Sequence, residues 1–84
     1  NDLKKLFSDV PAGRPEGADN EQSTYRHLVI CRLEFLALCE ILGEAQAKEI
    51  VLGNSGYTWI RRTVVEYGSR IDPIIKEYFP EIIQ

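Results

Sequence analysis

The 84-residue chain has no methionine, one histidine, one tryptophan and two cysteines. Two cysteines fall short of the disulfide frameworks that staple small secreted domains. Cys31 and Cys39 also lie in one helical stretch, about 12 Å apart along its axis at ~1.5 Å per residue. A disulfide needs Cα atoms within about 7 Å, so an internal bridge would break that helix. A reducing, intracellular setting, cytoplasmic or nuclear, is expected. The absence of methionine and a start at Asn1 read as a domain excised from something longer, or a processed product.

Long apolar runs are missing too. Segment 28–42 has twelve apolar residues in fifteen, but Arg32, Glu34 and Glu40 interrupt it. A membrane span needs about 18 or more uninterrupted apolar residues, and charges inside it are costly. Residues 1–10 carry Asp2, Lys4, Lys5 and Asp9 among their apolar positions, so no signal peptide is expected in this stretch. No membrane association is expected. Charge of one sign is scarce: ten basic against thirteen acidic residues leave a net charge of −3, which argues against a general polyanion binder.

What is present is helical periodicity. Residues 1–9 place Leu3, Leu6 and Phe7 on one helical face, too short to persist undocked. Residues 10–23 carry Pro11, Gly13, Pro15 and Gly17 at every second position and read as a flexible tether. A helical bundle is expected over 24–84. Its first helix runs from a Ser23 or Thr24 cap to Leu42, stopped by Gly43 in a left-handed conformation. A second helix, 44–52, stops at Gly53; a third, 57–67, closes at Gly68. Asp72-Pro73 starts a fourth, 74–79, because proline suits a first turn. Pro80 ends it before the apolar tail 81–84. The fold class is all-α: a small compact bundle of four to five helices with short glycine-stopped connections.

Helix 24–42 is apolar nearly all round. Leu28, Cys31, Phe35, Leu38, Cys39 and Leu42 make one arc; Val29, Leu33 and Leu36 lie on a second side, and Ile30, Ala37 and Ile41 on a third. Two readings stand: a central helix wrapped by its neighbours, or a helix offering one stripe to another subunit or partner.

Catalytic and metal chemistry lack a constellation. His27 and Cys31 share a helix face at i, i+4, but zinc needs three or four ligands and a nucleophile needs an oriented base. Arg62 with Glu66, and Asp72 with Lys76, have the spacing of exposed ion pairs. No phosphate-binding glycine loop is present. No catalytic residue, metal site, cofactor or small-molecule substrate is expected.

One motif points elsewhere. Gly53, Asn54, Ser55, Gly56, Tyr57, Thr58, Trp59, Ile60, Arg61 and Arg62 resemble the turn and recognition helix of helix-turn-helix regulators. The resemblance implies a DNA-binding surface of Ser55, Tyr57, Thr58, Arg61 and Arg62, with that helix in the major groove. The chain departs from the family pattern at Glu49, where a small residue is usual, at Asn54, where an apolar one is, and at Arg62, where the buried side is expected. The structural alternative makes Arg61 and Arg62 the solvated face of an amphipathic helix. The favoured expectation is therefore a non-enzymatic protein–protein interaction module, self-associating, in a larger assembly or regulator. Its partner-binding residues are Leu3, Leu6, Phe7, Leu33, Leu36 and Trp59, with nucleic-acid binding the alternative.

Overall fold

The computed structural model describes residues 2–13 and 15–78. Among them are five helices and no strand: α1 (Asp2–Leu6), α2 (Glu21–Leu42), α3 (Glu44–Leu52), α4 (Thr58–Glu66) and α5 (Gly68–Tyr78). The expected all-α bundle is what the chain forms. Helix α2 is the backbone of the arrangement, with α3, α4 and α5 packed on it and α1 on α5. The Cα trace measures 31 × 30 × 16 Å. A helix with its side chains is ~10–12 Å across, so the thin dimension admits two layers and α2 cannot be wrapped on every side.

Two clusters form the core. Leu28, Ile60, Val64, Ile71 and Ile75 join α2, α4 and α5, and Leu3 and Ala18 extend the cluster to α1 and the loop. Phe35, Ala47 and Val51 fix α3 to the lower half of α2. Burying each large aliphatic side chain contributes about 1.5–3 kcal/mol, which is what holds such short helices.

Several boundaries differ from the periodicity. Helix α2 begins three residues early, because Asn20 caps it by accepting a 2.8 Å hydrogen bond from the Ser23 amide. Gly43 does stop α2, but at φ 89° and ψ 159°, outside the left-handed helical region. Gly68 opens α5 instead of closing α4, whose cap is Tyr67. Pro73 lies inside α5, not at a helix start. Its missing N–H removes only the bond to Ser69, an exposed residue in the first turn of α5. The expected stop at Pro80 and the tail 81–84 lie outside the described residues.

Residues 10–13 and 15–20 lie against the bundle. The Thr24 hydroxyl donates to the Pro11 carbonyl at 2.8 Å and accepts from the Ala18 amide at 3.0 Å. Gly17 is needed there, since a Cβ would collide with the Pro11 carbonyl and the Thr24 hydroxyl. Further along, the Pro15 and Glu16 carbonyls accept from the amides of Thr58 and Trp59 at 2.9 and 3.0 Å. Those are orphan donors at the start of α4, and loop carbonyls take the place of a side-chain cap.

Candidate functional site

Among the described residues one cation is buried. Arg32 is only 8 % exposed. Its Nε and Nη2 donate to Asp72 Oδ1 and Oδ2 at 2.7 and 2.8 Å, and its Nη1 donates to the Val64 carbonyl at 2.8 Å. The guanidinium also lies 5.5 Å from the Phe35 ring centre. A cation suits the last turn of α4, where carbonyls lack helical partners and the dipole is negative. Gly68 makes room: a Cβ there would overlap the guanidinium itself. Arg32 thus ties α2, α4 and α5 together. Asp72 serves this bridge, and the expected i, i+4 pair with Lys76 does not form.

The residues of the helix-turn-helix resemblance fall into different settings. Ser55 is exposed in the turn, while Tyr57 takes a left-handed conformation (φ 55°) and sets its ring 4.7 Å from that of His27. Arg61 is 14 % exposed along its side chain; it donates to Glu34 Oε1 at 3.1 Å and, through Nε, to the Gly56 carbonyl at 3.0 Å. Arg62 is exposed and makes no ion pair with Glu66. Thr58, Arg61 and Arg62 line a cleft of about 250 Å³ with Leu52, Asn54 and Glu66. The end of α4 that would enter a groove is covered by Pro15 and Glu16. Its first amides are therefore not free for phosphate.

No hydrogen bond joins His27 to Cys31. The His27 Nδ1 lies 2.8 Å from the Ser23 carbonyl, to which it donates when it carries a proton. Cys31 is buried, and burial pushes its thiol pKa up, against the thiolate. Among the described residues no group of three or more histidine, cysteine, aspartate or glutamate side chains is placed to hold a metal ion. No helix of these residues is long and apolar enough to cross a membrane.

The expected partner-binding residues divide in the same way. Leu3 is in the core, and Phe7 and Trp59 pack edge to face with ring centres 6.1 Å apart. The Tyr25 hydroxyl donates to the Phe7 carbonyl at 2.5 Å, pinning the end of α1 to α2. All three pack into one cluster of their own chain, which Val10 and Ala18 of the connecting loop also join. Leu6 stays exposed; Leu33 and Leu36 are half-buried on α2.

One exposed apolar surface lies on the outer arc of α2, besides exposed Ile50 and Leu52 on α3. Ile30 is 47 % and Ile41 77 % exposed, with exposed Ala37 and half-buried Leu33 between them. Arg26 and Glu40 lie on the same arc, both exposed. Periodicity marked Ile30, Ala37 and Ile41 as one side, yet their exposure followed only from the two-layer thickness. No family model, curated protein or solved structure matches the chain.

Proposed function

We propose that this domain is a non-enzymatic protein–protein interaction module that self-associates and serves a larger assembly or regulator. The observation carrying this reading is the outer arc of α2, where Ile30, Leu33, Ala37 and Ile41 form an apolar strip on the most central helix of the bundle. Isolated exposed apolar residues are ordinary, but a strip aligned along one helix is what a helical partner covers. Cys31 and Cys39, both free thiols, suit a reducing compartment.

Sedimentation equilibrium tests the reading. The mass of the wild-type protein should rise with concentration, and Ile30→Asp or Ile41→Asp, both at exposed positions, should hold it at the monomer mass. A wild-type chain that stays monomeric to near-millimolar concentration, and instead binds duplex DNA with a steep salt dependence, would overturn it in favour of the helix-turn-helix reading.

A further inference from the structure

We propose that the occupant of the α2 strip is a second copy of this chain, its α2 antiparallel to the first about a two-fold axis at Leu33. This rests on the self-association reading and adds the partner, the orientation and the register. Along the outer arc, Arg26, Ile30, Leu33, Ala37 and Glu40 follow one another at spacings of four, three, four and three. That alternation keeps a stripe facing a neighbouring helix along a shared seam.

The charges choose the orientation. Arg26 and Glu40 lie seven residues either side of Leu33, both exposed, and neither is ion-paired within the described residues. An antiparallel copy centred on Leu33 sets Arg26 of each chain against Glu40 of the other, closing the seam with two opposite-charge contacts. A parallel copy would set arginine against arginine and glutamate against glutamate, which is unfavourable. In the antiparallel register Ile30 of one chain meets Leu36 and Ala37 of the other, and the small Ala37 lets the helices approach to the usual ~8–10 Å. The same self-complementary patch on both subunits is what a two-fold interface requires.

The seam from Arg26 to Glu40 is about 21 Å long at ~1.5 Å per residue. One helix pair of that length buries an area at the small end of specific interfaces, so the dimer should be weak and concentration-dependent.

Charge exchange tests this directly in the intact chain. Arg26→Glu and Glu40→Arg should each weaken self-association at least about tenfold, the equivalent of ~1.4 kcal/mol, because each sets like charges across the seam. An equimolar mixture of the two variants should regain association: the introduced glutamate faces the introduced arginine, and the remaining Glu40 and Arg26 face each other. The double variant R26E/E40R should dimerise like the wild type. Circular dichroism should show unchanged helix content, as both positions are exposed. If the wild type dimerises but both single variants do so equally well, the register is wrong while self-association stands. If the wild type is monomeric, both fall.

Discussion

The Arg32 guanidinium and the Asp72 carboxylate meet through two parallel hydrogen bonds of 2.7 and 2.8 Å, joining α2 to α5 across forty residues of sequence. The geometry is bidentate, the strongest form of such a pair, and the remaining Nη1 reaches the Val64 carbonyl of α4. Because the arginine is buried, removing its partner leaves a charge with little water to take over. Asp72→Ala should therefore destabilise the fold by about 3 kcal/mol, the low end for breaking a buried pair, since the Asp72 side chain keeps 30 % exposure. Gly68→Ala should cost a comparable amount by displacing the guanidinium. The double variant R32M/D72A should lose less than the sum of its parts, measured by urea denaturation.

The Thr24 hydroxyl joins the 10–20 loop to α2 through Pro11 and Ala18. Thr24→Val keeps the shape but strands a buried amide and a carbonyl, and should cost ~1–3 kcal/mol. Hydrogen exchange should show the Ala18 amide losing protection first, followed by those of Thr58 and Trp59, which depend on the same loop. Unchanged exchange at Thr58 and Trp59 would mean that α4 does not need the loop for its cap.

Alkaline pH should weaken the fold in a defined way. Burial raises the pKa of both Cys31 and Tyr25, Glu21 adding to the effect at Tyr25. The native state therefore holds these protons more tightly than the unfolded chain does. Stability from this source is complete below the ordinary thiol value of 9.0 and declines as pH rises through it and then through the ordinary phenol value of 10.0. Denaturation midpoints should therefore fall as pH rises above 9.0, and more steeply above 10.0. Cys31→Ala with Tyr25→Phe should flatten that slope while lowering stability at neutral pH.

The helices were legible because their apolar residues recur with helical spacing and glycines separate them. What the sequence did not disclose are contacts between distant residues. Arg32 read as a break in an apolar run, and only the approach of Gly68 and Asp72 gives it a partner. Asp72-Pro73 has the local chemistry of a helix start, yet packing of Ile71 and Ile75 carries α5 through the proline. The alternating prolines and glycines of 10–20 carry no apolar period, so nothing local marked Pro15 and Glu16 as the cap of α4. Nor did any local signal show that Leu3, Phe7 and Trp59 pack into one cluster of their own chain. The α2 strip was half visible, as one of three apolar sides, and the thickness of the bundle selects which side stays open.

The most direct test of the α2 interface is a dilution series of amide NMR spectra of the wild-type chain, from near-millimolar to low micromolar concentration. The account predicts concentration-dependent shifts concentrated at Arg26, Ile30, Leu33, Ala37, Glu40 and Ile41, with core residues such as Ile60 and Ile71 unmoved. Spectra that do not change with dilution, or shifts confined to α1 and α3, would contradict it.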